Sequence, residues 1–414
     1  MQVFKFGGAS IKDADAVKNV GEIIKLYGER PLVVVVSAMG KTTRSLERLL
    51  DSYGTDSFNA NYDTLKNYHL EIARKLFPQN HSVFEELAKY FNRLKEIDFG
   101  LKDRVLLHAQ VVSLGELISS VIVFNYLQLI GLDSHWQYAP DVIKTNRLYS
   151  EGSLLWDETE KHIVQTLEQV LKNRIVVTQG YIASSPEGII TLGKEGSDFT
   201  AAIFASSLNA DKVTIWKDVP GILNADPKEI EDPVQMYKLD YKEASEMTYY
   251  GATVIHPKTI KPLALKNIPL EVRSFDSPEA RPTIIHRYEE SEREPSIIYK
   301  HNQCLFSFKV LDYTFVDEEN LATIFKVLHD LNLPINMMQN SAISLSVCFN
   351  YDEDKVKSLL AKLANRFTMY YNTGLKLVTI KNFTEETLQK YGPAPEEVLL
   401  EQRTRTNYRV LVRS

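Results

Sequence analysis

Residues 3–43 read VFKFGGASIKDADAVKNVGEIIKLYGERPLVVVVSAMGKTT. The stretch opens on a short apolar run, 3–6, that stops at the paired glycines Gly7 and Gly8. From 13 to 27, Val17, Val20, Ile23, Ile24 and Tyr27 recur at helical spacing. Residues 32–36 are apolar without a break and mostly β-branched, the pattern of a strand buried on both faces of a parallel sheet. Strand, helix and strand in that order make one βαβ unit. The ligand site of such a sheet lies in the turns leaving the carboxyl ends of its strands.

The same alternation continues outward. A helix-rich stretch covers 60–129, with Leu65, Tyr68, Ile72 and Leu76 on one stripe, and strand-like runs return at 175–178, 189–192 and 213–216. Strands interleaved with helices predict an α/β sandwich around a mostly parallel sheet. Composition turns acidic at 287–295, which ends on Pro295 and reads as a linker. Beyond it the order is strand 305–311, helix 320–331, strands 335–339 and 343–349, helix 354–364 and strand 375–380. That βαββαβ succession is ferredoxin-like. The tail from 384 holds a short helix, a Gly-Pro-Ala-Pro turn and a strand at 408–412, too little for a second complete unit. The expected domains are 1–287, a linker at 288–300, and 301–414 with a truncated second unit.

Bulk properties exclude several function classes. A net charge of -6 lacks the basic face that binds a phosphate backbone, so no nucleic-acid partner is expected. Two cysteines, Cys304 and Cys348, make no disulfide framework or metal motif and read as buried thiols of a reducing compartment. No unbroken apolar run approaches the ~20 residues of a membrane helix, and no signal peptide is evident, so the expectation is cytoplasmic.

Four strand-end turns carry candidate chemistry. In Lys5-Phe-Gly-Gly-Ala-Ser10, Gly7 and Gly8 let backbone N–H groups approach an anion, and Lys5 stands where an ammonium can reach phosphate oxygens; a plain tight turn reads the same way. Ser37-Ala-Met-Gly-Lys-Thr-Thr43 imitates a P-loop tail, but Val35 occupies the place of its first glycine, so small hydroxyls lining a pocket are the better reading. Gly193-Lys-Glu-Gly-Ser-Asp198 precedes a helix at 199–206 that Asp198 could simply cap. Lys217-Asp218 sets a charged pair before a Pro-Gly turn, with Asp226-Pro-Lys228 following. His69 and His108 read as surface or packing residues, His256-Pro257 as a turn, and no cluster has metal-ligand spacing.

Together these turns resemble the aspartate kinases of the amino-acid kinase family over about residues 1–285. The matching stretches are KFGGASI at 5–11, SAMGKTT at 37–43, SLGE at 113–116, TQGY at 178–181, TLGKEGSD at 191–198, WKDVPGI at 216–222 and GATVIHP at 251–257, with an ACT-like regulatory region after them. The resemblance implies an amino-acid kinase α/β/α sandwich followed by the ferredoxin-like ACT-type domain, and a homodimer through the latter. It implies ATP-dependent phosphorylation of the aspartate side-chain carboxylate, the first step toward lysine, threonine and methionine, with Mg²⁺ carried on the nucleotide. Lys5, Gly8 and Asp198 would be catalytic. Ser37, Thr43, Glu116, Tyr181, Lys194 and Ser197 would hold aspartate; Lys5, Gly7, Gly8, Lys217, Asp218, Leu223, Lys228 and Lys258 would line the nucleotide. Another carboxylate kinase of this fold, or a non-catalytic amino-acid sensor, are the alternatives.

Four positions depart from the family pattern. Lys194 replaces a substrate-gripping arginine, Glu195 a glycine, Leu223 a tyrosine and Thr253 a nucleotide-contacting lysine, whose role Lys258 would take. In the regulatory region the turn Val316-Asp-Glu-Glu-Asn-Leu321 lacks the family's glycine, and Ala342 stands where an effector-binding glutamate is frequent. Weak inhibition by lysine is the expectation, unless Asp317 only caps a solvated helix start.

Overall fold

The computed structural model describes residues 1–147, 152–252, 255–288, 294–311 and 315–413. Contacts cluster into two compact units: 1–222, 235–245 and 254–291 form the first, and 223–234, 246–253 and 292–414 the second.

The first unit is built on an eight-stranded sheet. Gln2–Phe6 lies between Leu32–Val36 and Lys212–Lys217 and runs parallel to both, with Phe6 level with Val36 and Trp216. Ile175–Gln179 follows Leu32–Val36, also parallel, with Gln179 level with Val36. Four strands therefore end at one height, and the turns that leave them meet along one sheet edge. Among the described residues, only Leu270–Ser274 with Thr283–His286 is antiparallel in this sheet. The β-branched run 32–36 is wholly buried, as a strand covered on both faces must be.

Three helices, Ser57–Leu76, Val83–Glu96 and Arg104–Leu129, fill the helix-rich stretch. The last is long and apolar enough to cross a membrane by length and composition, yet 78% of that window is buried inside the protein. It is a core helix, apolar all round because it is covered all round. The expected strand at 189–192 is present as Gly188–Thr191, outside the main sheet. It pairs with Ile182–Ser185 in a two-stranded ribbon.

In the second unit a six-stranded sheet carries two ferredoxin-like lobes on shared strands. Its order is Ile335–Asn340, Leu345–Asn350, Ser296–Val310, Phe367–Lys381, Asn407–Arg413, Val398–Arg403. The first four strands with the helices Glu318–Asp330 and Glu353–Leu363 make the expected βαββαβ. Both middle strands are 15 residues long and bend at irregularities between Lys300 and Leu305. Their far halves join the tail strands and give the second lobe the same strand order. The tail is thus short because it borrows residues 296–300 as its last strand. Lys381 reaches Glu246 at 3.2 Å, so the end of the helix Tyr241–Tyr250 packs beside that lobe. Asp317 caps Glu318–Asp330 by accepting from the Asn320 amide at 2.8 Å. Cys304 and Cys348 are free and buried, and burial pushes both thiols up to about 12. Thr253 and linker residues 289–293 lie outside the described residues.

Candidate active site

The first two turns are stitched together before they hold anything. The Gly40 amide donates to the Gly8 carbonyl at 2.9 Å, with Gly40 in the left-handed region at φ 52°. A Cβ at Gly8 would lie 2.7 Å from the Ala38 carbonyl oxygen, so the close approach of the two turns alone requires glycine there. Ser10 ties the first turn to the neighbouring strand through the Trp216 carbonyl at 3.3 Å.

Lys5, buried on its strand, reaches Asp198 at 2.6 Å. Lys217, at the end of the adjacent strand, stands 3.9 Å from the other carboxylate oxygen. The helix that carries Asp198 begins earlier than its sequence suggests, at Gly196, with Glu195 as its N-cap residue. Asp198 is therefore inside the first turn and turned toward lysine, not capping. The loop comes so close because of two more glycines. A Cβ at Gly180 would sit 2.8 Å from the Ser197 Cα, and one at Gly196 would strike the Tyr181 ring at 2.7 Å. Burial alone would raise the Asp198 carboxyl; the Lys5 and Lys217 ammonium groups, with the Lys5 hydrogen bond, outweigh it and hold it below its ordinary value.

The opposite environment surrounds Glu116. It projects from the core helix Arg104–Leu129 and is 3% exposed. Beside it, a Cβ at Gly115 would lie 3.0–3.1 Å from Thr42, Ala38 and Leu46, so glycine lets the helix seat against the second turn. Burial pushes the Glu116 carboxyl up to about 8, only partly offset by hydrogen bonds from its own and the Ala38 backbone amides. Its Oε2 is buried with no hydrogen-bond partner among the described residues.

A cavity of about 830 Å³ joins these two ends. Lys5, Gly8, Asp198 and Lys217 line one region of it; Ser37, Thr43, Glu116, Tyr181, Lys194 and Ser197 also line it. Other expected residues fall outside it. Gly7 lies under the Lys5 ammonium, where a Cβ would stand 3.4 Å from Nζ. Asp218 lines a separate pocket of about 250 Å³ with Asp13 and Asp276. Leu223 ends a two-residue strand and Lys228 sits exposed in the following turn, both in segments that cluster with the second unit. Lys258 sends its ammonium to the Leu192 carbonyl at 2.6 Å.

Arg104, Val105 and His108 line the cavity without a site role expected from the sequence, and Glu195, expected there only as a replacement of glycine, lines it too. His108 was expected to be surface or packing; it lines the cavity 3.4 Å from Glu47. Arg104 directly follows the Asp103 cap and His108 stands one helical turn further on, a signal legible only once the helix start is fixed. His69 is a packing residue as expected: fully buried, 3.0 Å from the Thr42 hydroxyl and 2.8 Å from the Leu65 carbonyl, with burial pulling it down to about 4. Among the described residues, no three His, Cys, Asp or Glu side chains group to hold a metal ion.

Residues 1–274 match the model of the amino acid kinase family. The chain belongs to that family. Within it, the chain is 31% identical over 398 residues to the bifunctional aspartokinase/homoserine dehydrogenase of Daucus carota, covering 90% of this chain and 42% of that one. It therefore spans less than half the length of the plant bifunctional relatives. Lysine-sensitive aspartokinase 3 of Escherichia coli is 29% identical over 390 residues, 91% of this chain and 86% of its own length. The solved structure of E. coli aspartokinase III in complex with aspartate and ADP (R-state) superposes with TM-score 0.86 at 26% identity, covering 100% and 96% of the two chains. Its complex with lysine and aspartate (T-state) gives TM-score 0.80. The sandwich with its ferredoxin-like second unit is the architecture of this family's aspartokinases. Glycine at the family's counterpart of Glu195 also has a physical reason: the position is left-handed, φ 54°.

Proposed function

We propose that this chain is an aspartate kinase, transferring the γ-phosphoryl group of MgATP to the side-chain carboxylate of L-aspartate, the first step of the aspartate-derived amino-acid pathway. One observation carries the reading: a buried Lys5 and a half-buried Lys217 converging on Asp198, and a desolvated Glu116 with no cation beside it among the described residues, share one cavity. The first suits a transferring phosphate and the second an ammonium, the two groups this reaction must hold together. The relatives' aspartate and ADP complexes support it.

The reaction needs no general base, because the substrate carboxylate is already ionised at neutral pH. A carboxylate oxygen forms a bond to the γ-phosphorus as the bond to the ADP oxygen breaks. The barrier is repulsion between two anions, so catalysis reduces to positioning and charge neutralisation. Lys5 and Lys217 neutralise the phosphoryl oxygens, with the Gly7 and Gly8 amides beside them, and Asp198 keeps both ammonium groups aimed. Glu116 takes the substrate ammonium; Lys194, with Ser37, Thr43 and Ser197, holds its carboxylates, and Tyr181 closes the wall. The nucleotide would carry Mg²⁺, which would offset the charge of its phosphates.

Aspartate-dependent ADP release by the purified chain, with hydroxylamine trapping of the acyl phosphate, tests the reading. Turnover of N-acetylglutamate instead of aspartate would move the assignment to another carboxylate kinase, since that substrate offers Glu116 no ammonium. No turnover of either would leave the sensor reading. Lysine titrated into the same assay is expected to inhibit weakly. A homodimer through the second unit belongs to this proposal. The edge strand Ile335–Asn340, with the exposed Met338 and Ile343 beside it, offers the surface, and sedimentation equilibrium decides it.

A further inference from the structure

Glu195, which departs from the family pattern, and Lys258 meet at one helix start in the structure. Glu195 is the one side-chain-bearing residue at positive φ between Gly193 and Gly196, in a region that L side chains disfavour. Its carboxylate leaves the cavity's reacting region: Oε2 accepts from the His256 amide at 2.8 Å, at the N-terminus of the helix Pro257–Lys266. That is where an anion is stabilised by the free amides and the helix dipole. Its backbone carbonyl accepts from the Phe199 amide at 3.1 Å, in the first turn of the helix that carries Asp198. Three residues earlier, Leu192 gives its carbonyl to the Lys258 ammonium at 2.6 Å. Lys258 also lies 5.8 Å over the Phe199 ring, and its own amide donates to His256 Nδ1 at 3.3 Å. Both ends of the 192–195 segment are thus held by the first turn of one helix.

We propose that Glu195 and Lys258 are positioning residues that clamp the 192–198 loop to the helix Pro257–Lys266, and so fix Lys194 and Asp198 in the cavity. Glu195 acts on the helix, not on the substrate, and Lys258 acts on the loop, not on the nucleotide. The strained backbone at Glu195 is compensated by the cap it makes. The pairing also accounts for a glutamate where glycine would be unstrained, set against a lysine in the first turn of the next helix. This inference rests on the aspartate kinase reading for its kinetic arm, but its structural arm does not.

The test uses the full chain with Glu195→Gly, Glu195→Gln and Lys258→Met. Glu195→Gly removes the strain and the clamp together. It is expected to raise KM for aspartate by about three- to tenfold and to lower kcat, as misplacement of a positioned group does. Glu195→Gln keeps the acceptor and should stay within about twofold of wild type, because it preserves the hydrogen bond. Lys258→Met should raise KM for aspartate while KM for MgATP stays put. Hydrogen exchange of the 192–198 amides should speed up in Glu195→Gly and Lys258→Met, and not in Glu195→Gln. A lower KM for aspartate in both Glu195 variants would mean that the charge acts on the substrate, and overturns the proposal. So would a rise in KM for MgATP that exceeds the rise for aspartate in Lys258→Met, or unchanged exchange in the loop. A wild-type chain that does not turn over aspartate refutes the functional reading instead, and the exchange measurement still decides the clamp.

Discussion

Asp198 and Glu116 are both carboxyl groups, both almost fully buried, and both line the same cavity, yet they are driven in opposite directions. Two lysines face Asp198, and the carboxyl is held ionised. No cation stands at Glu116 in the described structure, and the carboxyl is pushed up to about 8. The difference lies in what the protein supplies. At Asp198 the charge balance is internal, so the lysine array is preorganised before any ligand arrives. At Glu116 the balance is left open. In the proposed reaction the substrate ammonium would complete it, while the finished pair would keep the lysine end rigid.

Breaking the finished pair should have the largest effect. Lys5→Ala removes an electrostatic donor from the transferring phosphoryl group and is expected to lower kcat by ~10²–10³. It also leaves Asp198 with only Lys217, at 3.9 Å. Steady-state kinetics at saturating MgATP and aspartate, with circular dichroism to confirm folding, checks this. A variant that keeps more than about a third of the wild-type kcat removes Lys5 from the mechanism, since losing such a donor costs far more.

The unfinished pair predicts pH dependence. Burial raises Glu116 from 4.5 to about 8, so the folded chain holds its proton more tightly than the unfolded chain does. The resulting stability is fully present below the unfolded value and is lost as pH rises through about 8. The melting temperature of the ligand-free protein should therefore fall across that window more steeply than that of Glu116→Gln. Aspartate should flatten the wild-type curve, because its ammonium supplies the missing partner. For the same reason KM for aspartate should drop as pH rises toward 8, by up to about tenfold per unit while Glu116 is protonated. Asp198 has the reverse sign: its contribution is present at neutral pH and lost in acid. Coincident wild-type and Glu116→Gln melting profiles between pH 6 and 9 would show that Glu116 is not the titrating group.

The two ends were not equally legible in the sequence. The lysine end was readable because its signals are local: Lys5 with its glycines, and Lys217 at a strand end, each belong to a turn that a βαβ reading locates. Glu116 needed the resemblance, since a glutamate in an apolar helix says nothing of what it faces. His108 and Arg104 were missed because cavity lining depends on where a long helix crosses the turns, a tertiary fact. The second unit was misjudged at its long strands for another reason. The polar run 300–303 and the stretch 368–374, with its Asn372 and Gly374, look like turns, but each continues a strand through an irregular, bent ladder. The edge strand Val398–Arg403, whose last residues are polar and exposed, gave too little alternation to be found.

The smallest effect sharpens the open end of the comparison. Lys194 is exposed on the cavity wall and makes no hydrogen bond or ion pair among the described residues. Like Glu116 it has no ionic partner among the described residues, but solvent already reaches it, so its proposed contribution is screened. Lysine offers a carboxylate one point charge on a flexible stem, whereas arginine offers a planar fork with two parallel hydrogen bonds. Lys194→Arg should therefore lower KM for aspartate by about threefold, less than the ~1.5–3 kcal/mol of a charge-assisted bond in a buried site would give. The gain should vanish in aspartate amides that lack the gripped carboxylate, and kcat should hardly move. An unchanged KM would mean that the substrate carboxylate is held elsewhere on the wall, with Arg104 the next group to remove. A higher KM would mean that the guanidinium pairs with the Glu195 carboxylate and pulls it from the His256 amide, which hydrogen exchange of the 192–198 loop would then reveal.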